Sequence, residues 1–158
     1  MAFVSSLFKN LFEEFAWRGY LSPQMATLRM NPFVTHALVG VVWTTWHLPY
    51  WFGFLDAATV ASFSSYSLPM FALVNFPTLI AASIVYDELQ MLTNSVWPAV
   101  LIHTMSNALL TPLILGDFIA LDSQWAFLVS PGMESLLSIF LITIIGIGLV
   151  RIRINKES

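Results

Sequence analysis

Four long apolar stretches constrain the fold of this chain more than any other feature. Each is long enough to cross a bilayer, which takes about 20 residues of helix. Only 9% of the 158 residues are charged, whereas soluble domains average about 25%, so a soluble fold of this size could not cover its surface. We therefore expect an all-α, polytopic bundle of about four membrane spans, at Phe33–Leu55, Leu68–Tyr86, Val96–Leu115 and Met133–Val150.

The first residues of the chain precede these spans and differ from a signal peptide. Met1–Phe12 is apolar, but Lys9 follows the apolar run and no small-residue cleavage site comes after it. The segment is therefore expected to be an interfacial amphipathic helix or a partial membrane helix. We expect residues 1–158 to form a single membrane domain, with the polar motifs at about 10–110 and the final span at about 133–150.

The basic residues predict the orientation of the bundle. They lie only before the first span and after the fourth, at Lys9, Arg18, Arg29, Arg151, Arg153 and Lys156. Four spans return the chain to its starting side, so both basic ends share one face. The positive-inside rule makes that face cytoplasmic. We expect an integral protein of the plasma or inner membrane with both termini in the cytoplasm.

The net charge and the cysteine content exclude several classes of function. A net charge of −3 is small, so we expect no nucleic-acid partner, and the apolar spans predict contact with membrane lipid. The chain has 0 Cys, which excludes disulfides, a thiolate nucleophile and Cys-ligated zinc. The sequence does not indicate an oligomeric state.

Glu13, Glu14 and Arg18 form the first candidate group. Charges near hydrocarbon are costly, so their usual interpretation is functional. On a helix Glu14 and Arg18 are one turn apart and can pair, while Glu13 points about 100° away. The pair would leave Glu13 as a general base. The alternative is an interfacial helix whose charges lie among lipid headgroups.

His47, His103 and Asn107 form the second candidate group, at membrane depth. His47 lies late in the first span, where an imidazole can deprotonate water or bind a metal. His103 and Asn107 are four residues apart on one face of the third span, and both can donate hydrogen bonds to an oxyanion. The alternatives are a histidine among interfacial aromatics for His47 and interhelical hydrogen bonding for the other two.

Four further polar residues are interpreted as lying outside the site. His36 is expected at the interface, near the basic end of the first span. Asp87 and Glu88 are expected in a solvated turn over Asp87–Ser95, and Glu134 at the membrane surface.

The order of these groups resembles the CPBP intramembrane proteases, also called the CAAX-protease, bacteriocin-processing or Abi family. Glu13-Glu14-x-x-x-Arg18 resembles the family's EExxxR motif, and His103-x-x-x-Asn107 resembles its HxxxN motif. His47 matches the FxxxH motif, with Trp43 in place of phenylalanine, a change expected to matter little. The resemblance covers about residues 10 to 110.

The resemblance implies an intramembrane endopeptidase acting near the cytoplasmic face. Glu13 and His47 would activate water, His103 and Asn107 would form the oxyanion site, and Glu14 and Arg18 would support them. The reaction would be metal-free, or Zn²⁺ would be held by Glu13, His47 and His103. The implied substrates are a prenylated CAAX-type tail or a bacteriocin or leader peptide.

Two other functions remain compatible with the sequence. The first is a non-catalytic membrane scaffold or bacteriocin self-immunity protein on the same fold. The second is an ion or metal carrier, disfavoured because the spans hold few acidic groups and no paired broken helices. Family members usually carry membrane helices before the EExxxR motif, and only twelve residues precede Glu13 here. We therefore expect a fragment, a short variant or a partner-dependent form.

Overall fold

The expected all-helical class is confirmed. The computed structural model describes residues 2–61, 64, 66–110, 112–113, 118–119, 123–129 and 135–157. Every regular element within these ranges is a helix. In chain order the helices are α1 (Ala2–Glu14), π1 (Phe15–Leu21), α2 (Ser22–Ala26), α3 (Pro32–Gly53), α4 (Ala57–Ala61), α5 (Leu68–Thr93), α6 (Trp97–Met105), π2 (Ser106–Leu110), α7 (Ser123–Val129) and α8 (Leu136–Glu157).

Several helix ends follow from local sequence. Asn31 caps α3, where its Oδ1 accepts a hydrogen bond from Phe33 N at 2.9 Å, and Pro32 occupies the first turn. Asp56 accepts a 2.6 Å bond from Thr59 N at the start of α4, and this bond lowers the pKa of its carboxyl below the ordinary value. The chain leaves α5 through Asn94, whose φ of 50° is the left-handed conformation that often ends helices.

Helix α5 is the centre of the bundle and packs against both α3 and α8. Glycines allow the backbones to approach closely at both contacts. A Cβ on Gly40 would lie 2.7 Å from Ile80 Cα, and one on Gly146 would lie 3.0 Å from Ile84 Cγ2. The buried apolar core between these helices includes Trp43, Leu79, Ala82, Val85 and Tyr86.

Two of the described helices are long and apolar enough to cross a membrane, Leu68–Thr93 and Leu136–Lys156. They correspond to the second and fourth expected spans. The first expected span coincides with α3, a helix of 22 residues that buries several polar groups. The third begins as α6 and continues as π2 to Leu110.

Parts of the expected third and fourth spans lie outside the described residues. These are Thr111, Ile114 and Leu115 of the third span, and Met133 of the fourth; Glu134, expected at the membrane surface, also lies outside them.

The expected solvated turn at Asp87–Ser95 is wrong, because α5 continues to Thr93. Asp87 and Glu88 are fully buried, and so is His36, which was expected at the interface. Cationic and imidazole side chains from three other parts of the chain reach the two carboxylates, so burial there does not leave them without partners. The helix therefore does not have to end where the charges begin.

Candidate active site

Two polar contacts join α1 to the helix formed by α6 and π2. Glu14 Oε1 accepts a 2.8 Å hydrogen bond from His103 Nδ1, and Asn107 Nδ2 donates a 3.1 Å bond to Asn10 Oδ1. Within each helix the two residues are four positions apart and therefore share a face. The later residue on one helix meets the earlier residue on the other, so the helices run antiparallel. This packing brings the EExxxR and HxxxN motifs together.

Arg18 fills the interior beside this contact and is fully buried. Its Nη1 lies 3.2 Å from Glu14 Oε2, so the ion pair expected from their spacing is present. Its Nε donates to Asp87 Oδ1 at 3.1 Å, and its Nη2 donates to Ser83 Oγ at 3.1 Å. A planar guanidinium suits this arrangement because it presents several donors in fixed directions. Arg18 therefore joins the first motif to α5.

Trp43 packs against the charged groups and forms one wall of the site. Its side chain is 1% exposed, and the Arg18 guanidinium carbon lies 4.3 Å from the centre of its ring, a cation–π geometry. The rings of His47 and His103 lie 5.9 Å and 5.6 Å from it. The FxxxH motif, which runs here from Trp43 to His47, is thus packed against the EExxxR and HxxxN motifs through one indole.

The hydrogen bond of His47 defines which nitrogen carries its proton. Nδ1 lies 2.9 Å from the Trp43 carbonyl oxygen, which can only accept, so Nδ1 carries a hydrogen. In the neutral ring Nε2 is then an acceptor. Nε2 is therefore the ring nitrogen of neutral His47 that can accept a proton.

Glu13 has a different environment from Glu14. It is 7% exposed, and neither carboxylate oxygen accepts a hydrogen bond within the described part of the chain. The Lys9 ammonium nitrogen lies 3.3 Å from Oε1, and Lys9 itself is exposed. A buried carboxylate that accepts no hydrogen bond is uncommon and calls for an explanation. An acceptor for the protons of a water molecule is one such explanation.

The possible metal ligands of the site are its two histidines and Glu13. Nδ1 of His103 bonds to Glu14 and Nδ1 of His47 to a carbonyl, so Nε2 is the remaining ligand atom of each ring. Among the residues that the structure describes, no three His, Asp or Glu side chains come together as a metal-binding group. Zn²⁺ at Glu13, His47 and His103 stays a prediction.

Sequence reasoning missed a buried network behind the site. His36 Nδ1 lies 3.0 Å from Asp87 Oδ2, and His36 Nε2 lies 2.7 Å from Glu88 Oε1. Arg153, from α8, binds Glu88 through two nitrogens at 2.8 and 2.9 Å. The available signal was two adjacent carboxylates directly after an apolar helix, since charges there are usually functional. Asn10 had no comparable signal.

Comparison with known proteins identifies the family. The chain matches the family described as type II CAAX prenyl endopeptidase Rce1-like over residues 1–109. These residues contain all three motifs and the helices α1 to α6. No curated protein and no solved structure matched the chain. The family is one of integral membrane proteins, which agrees with the two apolar helices α5 and α8. The chain therefore belongs to the Rce1-like family of type II CAAX prenyl endopeptidases.

Proposed function

We propose that this chain is an intramembrane endopeptidase that hydrolyses a peptide bond in the C-terminal tail of a prenylated protein. The observation that carries the proposal is the packing of three distant motifs around Trp43. Glu14, His47 and His103 come from separate parts of the sequence, yet Glu14 binds His103 and both histidine rings pack against Trp43. Isolated interhelical hydrogen bonds would not require all three motifs in one place.

Glu13 and His47 are the proposed acceptors of the water protons. Glu13 offers two carboxylate oxygens that accept no hydrogen bond in the described structure, and His47 offers Nε2. A water held between them would attack the carbonyl carbon of the scissile bond as one of its protons passes to the base. The same proton would then pass to the departing amine nitrogen, so the base is restored.

His103 and Asn107 are the proposed donors to the oxyanion. The bond from Nδ1 to Glu14 leaves Nε2 of His103 directed elsewhere. Because Nδ1 already carries a hydrogen, Nε2 donates to the oxyanion in the doubly protonated ring. One hydrogen of Asn107 Nδ2 bonds to Asn10, which leaves the second for the oxyanion. Such donors typically contribute about 3 kcal/mol to transition-state stabilisation.

The positions of the basic residues support the proposed topology. Arg18 and Arg153 come from the two basic ends of the chain, and they bind the neighbouring residues Asp87 and Glu88. Both basic ends therefore lie at the same end of α5. We propose four spans with this end at the cytoplasmic face of the plasma or inner membrane, following the positive-inside rule.

The test is cleavage of a farnesylated CAAX peptide by the full chain in liposomes. An unprenylated copy of the peptide and a leader-type peptide serve as comparison substrates. Wild type is expected to cleave the farnesylated peptide, and Glu13→Ala and His103→Ala are expected not to. Thr78→Val is a matched control, because Thr78 is buried on α5 and its hydroxyl donates to a backbone carbonyl of the same helix.

The same assay with a metal chelator distinguishes metal-free from metal-dependent hydrolysis. Unchanged cleavage after chelation supports the metal-free route, whereas loss that is restored by Zn²⁺ supports a metal-dependent one. Equal cleavage by wild type and Glu13→Ala would contradict the proposed base, and no cleavage by any form would favour a non-catalytic scaffold.

A further inference from the structure

Asp87 lies outside all three motifs, yet both of its oxygens contact groups behind the site. Oδ1 accepts from Arg18 Nε at 3.1 Å. Oδ2 lies 3.0 Å from His36 Nδ1 and accepts from Ser83 Oγ at 3.3 Å. The carboxylate is fully buried. We propose that Asp87 is a positioning residue, which acts through Arg18 and Glu14 to keep His103 bonded at Nδ1. The inference rests on the proposed function for the role of His103.

Arg18 is held by Glu14 and by two groups on α5. Its contact with Glu14 is the loosest of its three, at 3.2 Å to Oε2 and 3.5 Å to Oε1, both from Nη1. The contacts with Asp87 and Ser83 are each 3.1 Å. Ser83 also donates to Asp87, so the three groups close a ring. Two groups on α5 therefore set the plane of the guanidinium above Trp43.

Arg18 and His103 both contact the Glu14 carboxylate. Guanidinium and carboxylate groups prefer a two-bond, fork-to-fork arrangement. If Asp87 did not hold Nε, Arg18 would be free to turn and place a second nitrogen on Glu14. One of the two oxygens is Oε1, which now accepts from His103 at 2.8 Å and lies 3.5 Å from Arg18 Nη1. Asp87 therefore keeps Arg18 to a single-nitrogen contact and leaves the shorter bond at Oε1 to His103.

His36 holds Asp87 from the side opposite Arg18. It faces a carboxylate oxygen through each ring nitrogen, Asp87 at 3.0 Å and Glu88 at 2.7 Å. Arg153, from α8, binds Glu88 in turn. The imidazole therefore lies between a held carboxylate and Asp87, which fixes Asp87 in the direction of Arg18.

The test compares Asp87→Asn with Asp87→Glu and with Thr78→Val, in the full chain reconstituted in liposomes. Asparagine keeps the shape but removes the charge, whereas glutamate keeps the charge. For Asp87→Asn we expect kcat to fall by about tenfold to a hundredfold, as for other partners that orient catalytic groups, with KM little changed. Asp87→Glu is expected to keep part of the wild-type kcat, and Thr78→Val is expected to leave kcat unchanged.

A second readout does not depend on activity. With ¹⁵N-labelled histidine, the Nδ1–H resonance of His103 is expected in wild type and in Thr78→Val, and is expected to be lost or broadened in Asp87→Asn. If Asp87→Asn does not fold, Ser83→Ala removes one side of the ring and is expected to weaken the same signal. Folded Asp87→Asn with unchanged kcat and an unchanged His103 signal would overturn the inference.

The two readouts separate this inference from the proposed function. Wild type that cleaves no substrate contradicts the proposed function. The His103 spectra still decide whether Asp87 controls the bond between His103 and Glu14.

Discussion

Glu14 accepts a 2.8 Å hydrogen bond from Nδ1 of His103, a residue 89 positions later in the chain. The contact joins the EExxxR motif to the HxxxN motif, and it involves the second of the two adjacent glutamates. Glu13 lies on another side of the same helix, where Lys9 forms an ion pair with Oε1 and neither oxygen accepts a hydrogen bond within the described structure. The two adjacent carboxylates thus have separate structural roles, so substituting each is expected to affect stability and activity differently.

Glu13→Gln is expected to abolish peptide cleavage with little loss of stability. The charged partner of Glu13 is the exposed Lys9, and ion pairs with one exposed member contribute about 0–1 kcal/mol. The amide cannot accept a proton from water as a carboxylate does, so activity is expected to fall by at least about a hundredfold. Cleavage assays and thermal unfolding of the same preparation measure both effects. Unchanged activity would remove Glu13 from the mechanism.

Glu14→Gln is expected to lower both stability and activity. The substitution leaves Arg18 and His103 without the carboxylate they share. Breaking a buried ion pair from one side costs about 3–5 kcal/mol, although Asp87 still binds Arg18 and makes the lower end the expected value. Denaturant unfolding of Glu14→Gln beside Glu13→Gln measures the difference. Equal stability of the two variants would contradict the separate roles.

Gly40→Ala is expected to loosen the contact between α3 and α5. The new Cβ would lie 2.7 Å from Ile80 Cα, and a backbone atom cannot move aside alone. Such overpacking typically costs about 1–3 kcal/mol. Gly148→Ala is the matched control, because nothing lies within 4 Å of its Cβ and alanine is favoured over glycine in helices by about 1 kcal/mol. Thermal unfolding should therefore shift in opposite directions for the two variants.

The proposed topology is tested by labelling single cysteines in a chain that has 0 Cys. Phe54, 82% exposed, follows α3, and Lys156 is an exposed residue near the end of α8. With four spans, Phe54→Cys and Lys156→Cys should react with an impermeant maleimide from opposite sides of the membrane. Asn94→Cys, after α5, should react from the same side as Lys156→Cys. Labelling of all three from one side would contradict the four-span arrangement.

Local sequence was sufficient for the class of fold and for the pairs within a helix. Long apolar stretches with few charges predict membrane helices, and Asn31-Pro32 predicts where α3 begins. The four-residue spacing predicts that Glu14 and Arg18 pair, because residues one turn apart share a helix face. The three motifs together were sufficient to indicate the family. Each of these features depends on neighbours in sequence or on helical periodicity.

Tertiary packing decided the partners that lie on different helices. That His103 meets Glu14, and that Asn107 meets Asn10, depends on the antiparallel register of α1 and α6. Helical periodicity defines the face on which a residue lies but not the helix that covers that face. The largest error, at His36, Asp87 and Glu88, has the same origin. The sequence pattern of a carboxylate at the end of an apolar helix is the same whether water or a buried guanidinium surrounds that carboxylate. Only the packing of Arg18 and Arg153 against α5 distinguishes the two environments.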